Sequence, residues 1–194
     1  MTSASDRRAT GGSVLLAITS LRIVLTPVVI GLVLIGERVR GATVAGLVVF
    51  TVAALTDLVD GYVARRWGRT TEFGSFLDTT ADKLLVSGVL IGLVAVGRAS
   101  PWASFLIVGR ELLVLGLRAV MAARGTHVEG SVWGRWKAAA QLIAIGLAIV
   151  RPPVLIGPLL LDEWALWLAV LITVGSGVEY FSRFPLRPAP ADQQ

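Results

Sequence analysis

The feature that most limits this chain is a run of six predominantly apolar segments with little between them: residues 14–36, 42–65, 78–97, 102–123, 132–150 and 161–181. Each is 19 to 24 residues long. At about 1.5 Å of rise per residue, a helix of that length crosses a hydrocarbon core of roughly 30 Å. Continuous apolar runs, without period-two alternation, argue against a sheet, and backbone groups at depth in lipid must be satisfied within helices. Gly36-Glu37-Arg38, Arg98-Ala99-Ser100-Pro101 and Arg151-Pro152-Pro153 separate segments. Pro27 predicts a kink or local opening in the first. Arg7 and Arg8 precede an apolar stretch as in a signal peptide, but that stretch passes Arg22 and reaches Gly36 without a small-residue cleavage signal, so it reads as a retained span. The expected fold is an all-α integral membrane protein with six transmembrane helices. One domain, residues 14–182, lies between polar tails at 1–13 and 183–194.

Composition agrees. Hydrophobic residues make up 55% of the chain and charged residues 16%, against about 25% charge in ordinary soluble domains. Cysteine is absent and His127 is the single histidine, which excludes disulfides, thiol nucleophiles and His/Cys metal clusters. The net charge of +5 reads as loop bias, and no basic recognition motif for nucleic acid appears. With both termini cytoplasmic, the inner loops and tails hold Arg7, Arg8, Arg65, Arg66, Arg69, Arg124, Arg135, Lys137, Arg183 and Arg187. The outer ones hold Arg38, Arg40, Arg98 and Arg151. That is the positive-inside pattern. Tryptophans Trp102, Trp133, Trp136, Trp164 and Trp167 fall near span ends, as interfacial anchors do. Gly88-x3-Gly92 marks a candidate close helix contact.

The remaining charges lie inside or at the edges of spans: Asp57, Asp60, Asp82, Lys83, Arg110, Glu111 and Arg118. Such residues usually face an interior or a wet cavity. Snorkelling suits Lys83 and Arg124, but not short aspartates. Asp57 and Asp60 are three apart, Asp78 and Asp82 four apart, so each pair shares one helix face. The hairpin through residues 66–73 brings both pairs to the cytoplasmic side. Two unit charges 4 Å apart repel by about 4 kcal/mol at an effective dielectric of about 20. Protons would relieve this. An all-oxygen ligand set equally suits hard cations such as Mg²⁺ or Mn²⁺, and two of them could bridge phosphate oxygens. Gly61 and Ala64 beside the acids allow a flat ligand to approach the helix, and Gly74 is expected to open the third helix. A cation transporter would also explain intramembrane acids, but such sites favour the midplane between repeats. These acids lie at helix ends, and no repeat is evident.

The string Asp57-x2-Asp60-Gly61-x2-Ala64-Arg65-x8-Gly74-x3-Asp78-x3-Asp82 resembles the signature of the CDP-alcohol phosphotransferase family, with no position missing. Members of that family move a phosphatidyl or similar group from a CDP-linked lipid to an alcohol and release CMP. Within the family the likeness is strongest to bacterial members that take CDP-diacylglycerol as donor and glycerol 3-phosphate as acceptor. It extends to Ala64-Arg65-Arg66-Trp67, Phe73-Gly74-Ser75-Phe76-Leu77-Asp78, Ala81-Asp82-Lys83, Arg110-Glu111 with Arg118, and Gly134-x2-Lys137 with Ala140-Gln141. Thr19 and Arg22 match the first helix, with Leu16 where Asn is frequent. Thr79 stands where Pro is usual.

The resemblance implies that Asp57, Asp60, Asp78 and Asp82 hold two divalent ions, Mg²⁺ or Mn²⁺, with Asp82 also the general base. It implies that Asp57, Gly61, Ala64, Arg65 and Gly74 meet the CDP group. The acceptor phosphate needs cations, for which Arg110, Arg118, Arg135 and Lys137 are the candidates, with Glu111 orienting one of them. Other acceptors, such as inositol phosphate or phosphatidylglycerol, stay open. A homodimer in the bacterial cytoplasmic membrane, active on its inner side, completes what the resemblance implies.

Overall fold

The computed structural model describes residues 4–67, 72–124 and 132–183, with side chains at 18–56, 74, 76–124, 134 and 136–182. Its elements are α1 (Ala4–Ile35), α2 (Ala42–Trp67), α3 (Glu72–Ala95), α4 (Pro101–Ala123), α5 (Val132–Val150), β1 (Leu155–Ile156), β2 (Leu159–Leu160) and α6 (Leu161–Arg183). Among the described residues there are six helices, as the apolar runs predict, and the fold is all-α but for one two-residue ladder. Two starts differ from expectation. Helix α1 begins at Ala4, inside the stretch read as a polar tail, and α3 begins at Glu72, so Gly74 lies within its first turn instead of opening it. Both extensions run through glycines, Gly11, Gly12 and Gly74, each of which costs about 1 kcal/mol in a helix without ending it. Pro27 sits inside the continuous α1.

Helix ends follow local chemistry. Ser100 caps α4 by accepting from the Ala103 amide, with Pro101 in the first turn, where a missing N–H costs nothing. Asp162 and Glu163 occupy the first turn of α6, at the positive end of its dipole. A sheet was not expected, yet β1 and β2 form a small antiparallel ladder pairing Leu155 with Leu160 and Ile156 with Leu159. Gly157, at φ 63°, supplies the corner that a two-residue hairpin loop needs. The α5–α6 connection thereby satisfies backbone groups that no helix serves.

Helix α1 packs on α2 and α3, α5 on α6 and α2, and α4 on α6 and α3. Val29, Val33, Leu85, Val89, Leu93, Ile107, Ile145 and Leu166 form the main core. The Gly88-x3-Gly92 expectation holds: a Cβ at Gly88 would lie 2.9 Å from Ile30 Cδ1, and one at Gly92 3.5 Å from Ile30 Cγ2. The missing side chains let α1 and α3 approach closely. The outer surface is apolar, with Val24, Val44, Ile91, Phe105, Leu113, Ile143, Leu171 and Val178 exposed. Trp102, Trp136, Trp164 and Trp167 are exposed too. Among the described residues, two helical stretches are long and apolar enough to cross a membrane, Ile18–Ile35 and Leu161–Ser182, and Ala42–Thr56 and Trp136–Val150 are shorter apolar helices. Charged side chains interrupt the apolar runs of α3 and α4.

Candidate functional site

Two of the four signature acids have described side chains. Asp78 and Asp82 stand one turn apart on α3, with side chains 38% and 35% exposed respectively. Asp78 Oδ1 accepts from Arg22 Nη1 at 3.1 Å. That arginine comes from α1 and its side chain is fully buried. Its Nε donates to the Ala53 carbonyl of α2 at 3.3 Å, and the Thr26 hydroxyl donates to the Arg22 carbonyl. Arg22 thus ties three helices together beneath the acid face. In the sequence it stood out only as part of a pattern shared with Thr19; its place within an apolar run was the signal for an interior role.

Asp82 opens a line of alternating charge. Its Oδ2 lies 2.6 Å from Lys83 Nζ, and the same ammonium lies 2.8 Å from Glu111 Oε2. Glu111, on α4, is 3% exposed. Its Oε1 accepts from Lys137 of α5, from Arg110 Nη1 at 3.3 Å and from Gln141 Nε2 at 3.4 Å. Gln141 also donates to Thr173 Oγ1 at 2.9 Å, and Arg110 Nη2 to Ser176 Oγ at 3.0 Å. Helices α3, α4, α5 and α6 therefore meet in one polar cluster. Among the described residues it holds three cations (Lys83, Arg110, Lys137) against two carboxylates, Glu111 and Asp82, the second of which belongs to the acid pair.

Several expectations change here. Lys83 does not snorkel: it is held between two carboxylates. Lys137 is not a loop cation, since α5 starts at Val132 and buries it to 6% exposure. Glu111 gathers three cations instead of orienting one. Arg110 and Arg118 take different partners. Arg110 turns inward to Glu111 and Ser176. Arg118 is exposed, with Nε 3.3 Å from Tyr180 Oη and its guanidinium carbon 5.4 Å from that ring's centre. Val114 and Leu117 pack inward with Met121 and Tyr180. Gln141, Thr173 and Ser176 were missed as site residues. The i, i+3 spacing of Thr173 and Ser176 within an apolar helix was the available signal.

The side chains of Asp57, Asp60, Ala64, Arg65 and Arg135, and residue His127, lie outside the described residues, as does the side-chain environment of Gly61. Among the described residues no group of three metal-type ligands comes together. Asp78 and Asp82 nevertheless suit a hard cation. Both are carboxylates on one partly exposed face, and the ion pairs to Arg22 and Lys83 use one oxygen of each, Asp78 Oδ1 and Asp82 Oδ2. An apolar groove of about 290 Å³ lies between α2 and α5, lined by Phe50, Thr51, Ala54, Leu55, Ile143 and Gly146 among others. Its lining on α2 reaches Leu55, two residues before Asp57 in the chain.

Comparison with known proteins covers most of the chain. The family profile described as CDP-alcohol phosphatidyltransferase matches residues 16–175. A Bacillus subtilis (strain 168) protein named CDP-diacylglycerol–glycerol-3-phosphate 3-phosphatidyltransferase is 43% identical over 148 residues, covering 76% of this chain and 77% of that protein. A Mycobacterium tuberculosis protein named probable phosphatidylglycerophosphate synthase is 39% identical over 168 residues, 86% of this chain and 78% of the relative. A Pseudomonas fluorescens protein with the same name as the first is 37% identical over 169 residues, 84% of this chain and 85% of the relative.

Proposed function

The chain belongs to the CDP-alcohol phosphatidyltransferase family, and on that premise we propose that it transfers the phosphatidyl group of CDP-diacylglycerol to glycerol 3-phosphate, giving phosphatidylglycerophosphate and CMP. The observation that carries the reading is a cluster of cations linked to a partly exposed acid pair: Lys83 bridges Asp82 and Glu111, and Arg110 and Lys137 pair with that same Glu111. A phosphorylated alcohol needs cations for its phosphate and a base for its hydroxyl within one small volume. The names of the relatives point to the same donor and acceptor.

In this reading the acceptor hydroxyl attacks the phosphorus next to diacylglycerol. The new P–O bond forms as the bond to CMP breaks, and the hydroxyl proton passes to Asp82. Asp57, Asp60, Asp78 and Asp82 would hold two divalent ions, Mg²⁺ or Mn²⁺. Such ions supply positive charge to the pyrophosphate and the departing CMP oxygen. Gly61 and Ala64 leave room for the nucleotide, with Asp57, Arg65 and Gly74 around it. Lys137, Arg110, Arg118 and Arg135 are the acceptor-phosphate residues, Lys137 first because it already stands in the cluster. The α2–α5 groove suits an acyl chain of the donor, being apolar and adjacent to the acid end of α2.

The six helices span a bilayer in this reading, with both termini and the acids on the cytoplasmic side of a bacterial membrane. The apolar outer surface and the two clear spans support this, as does the excess of Arg and Lys in the inner loops. A homodimer is the expected assembly. The acids are not at the helix ends as expected, because α2 runs on to Trp67 and α3 starts at Glu72, but all four lie in the later half of α2 or the earlier half of α3. That one-sided placement suits headgroup chemistry better than transport through a midplane site.

The test is direct. Purified protein with Mg²⁺ or Mn²⁺, CDP-diacylglycerol and glycerol 3-phosphate should release CMP, and Asp82→Asn should abolish release. Absence of metal-dependent CMP release with every alcohol acceptor would overturn the transferase reading. Turnover with inositol phosphate or phosphatidylglycerol but not glycerol 3-phosphate would overturn the acceptor alone.

A further inference from the structure

Lys83 stands at a contested position. Its ammonium lies 2.6 Å from Asp82 Oδ2 and 2.8 Å from Glu111 Oε2, so two carboxylates share one cation. The two acids differ in everything but charge. Asp82 is partly exposed on the acid face, whereas the Glu111 side chain is 4% exposed and cannot turn to water. Lys137, Arg110 and Gln141 occupy Glu111 Oε1, which leaves Oε2 aimed at Lys83. A carboxylate needed only to neutralise one buried lysine would not collect three cations. A lysine needed only to pair with its chain neighbour would not reach across to α4.

We infer that Glu111 is a positioning residue that shares the Lys83 ammonium with Asp82 and thereby keeps the Asp82 carboxylate available to a divalent cation. The inference rests on the reading of Asp82 as a metal-side carboxylate. If Glu111 loses its charge, Lys83 falls wholly to Asp82. A divalent ion must then displace a full ammonium from one of its own ligands, in a region where little water screens the repulsion. Groups acting through a ligand in this way alter metal affinity by about 10- to 100-fold when removed. Glu111 thus sets metal affinity from the far side of a lysine, although it is on a different helix from the acid pair and faces away from solvent.

The experiment reads metal binding without turnover. Mn²⁺ binding to the purified full chain in detergent, followed by the loss of free-ion EPR signal, is compared for wild type, Glu111→Gln, Glu111→Asp, Lys83→Met and the Glu111→Gln/Lys83→Met double variant. Glu111→Gln should weaken Mn²⁺ binding about 10- to 100-fold, and Glu111→Asp should recover part of the loss. Lys83→Met should bind Mn²⁺ more tightly than wild type. The double variant should stay within about twofold of Lys83→Met, because the residue through which Glu111 acts is gone. Equal weakening by Glu111→Gln with and without Lys83 overturns the inference, as does a wild type that binds no Mn²⁺. If Glu111→Gln does not fold, Lys83→Met decides alone: tighter binding supports the inference and unchanged or weaker binding overturns it. CMP release is assayed separately. A protein that shows this Mn²⁺ pattern but transfers nothing refutes the transferase reading and leaves the role of Glu111 standing.

Discussion

Replacing Lys137 with Met asks whether the buried cluster serves the fold, the acceptor, or both. The side chains of Lys137 and Glu111 are 8% and 4% exposed. Removing one partner of such a pair usually costs about 3–5 kcal/mol, because the other charge is left stranded. Here it is not stranded: Glu111 keeps Lys83 at 2.8 Å and Arg110 at 3.3 Å. The cost should therefore fall to that of one charge-assisted hydrogen bond, about 1.5–3 kcal/mol. For a chain of this size that lowers the unfolding temperature by about 3–12 °C. Glu111→Met removes the shared acceptor of three cations and should cost at least the full 3–5 kcal/mol of a broken buried pair, roughly. If Lys137 also binds the acceptor phosphate, Lys137→Met should lower kcat/KM for glycerol 3-phosphate by about 10- to 150-fold, mostly through KM. The assays are thermal unfolding in detergent and CMP release across a glycerol 3-phosphate series, with CDP-diacylglycerol saturating. Two results would refute the reasoning: a stability loss as large as that of Glu111→Met, or a folded variant with unchanged KM for glycerol 3-phosphate.

Three further outcomes can be measured in the same preparations. Gly88→Val should destabilise by about 1–3 kcal/mol through overpacking against Ile30 and Thr26, since a Cβ there lies 2.9 Å and 3.3 Å from their side-chain atoms. Gly92→Ala meets ordinary contacts at 3.5 Å and should gain about 0.5–1 kcal/mol from helix preference, so the two denaturation midpoints should move in opposite directions. Arg118→Lys loses the guanidinium fork that donates to Tyr180; it should raise KM for glycerol 3-phosphate by about tenfold while leaving the unfolding temperature within a degree or two of wild type. A chelator should stop CMP release, and added Mg²⁺ or Mn²⁺ should restore it. Activity that persists in excess chelator would contradict the proposed use of the four aspartates.

How much was legible in the sequence differs between elements. Helices α2, α4, α5 and α6 start or end within two residues of their apolar runs, because hydrophobic periods and Gly or Pro breaks are local signals. The starts of α1 and α3 were misplaced, since the helices run through Gly11, Gly12 and Gly74, which locally read as breaks. That Asp78 and Asp82 share a face was readable, because a spacing of four is one turn of α3. The acceptor side was readable only as a set of charged residue types. Only the structure gives two of them, Arg110 and Arg118, their separate partners Ser176 and Tyr180 on α6.

The amino-acid order alone determined that this chain forms six helices with an apolar exterior and carries acids spaced for a hard cation. Those properties depend on residues within a few turns of one another. Only the tertiary structure decided which charges meet. Lys83, Glu111 and Lys137 lie on three helices, Gln141 donates to both Glu111 and Thr173, and Arg110, also on Glu111, donates to Ser176. The physical reason is that a charge inside an apolar bundle has few places to go. It must find its partner across the packing interface, and that interface is set by where small residues such as Gly88 and Gly92 let the helices close.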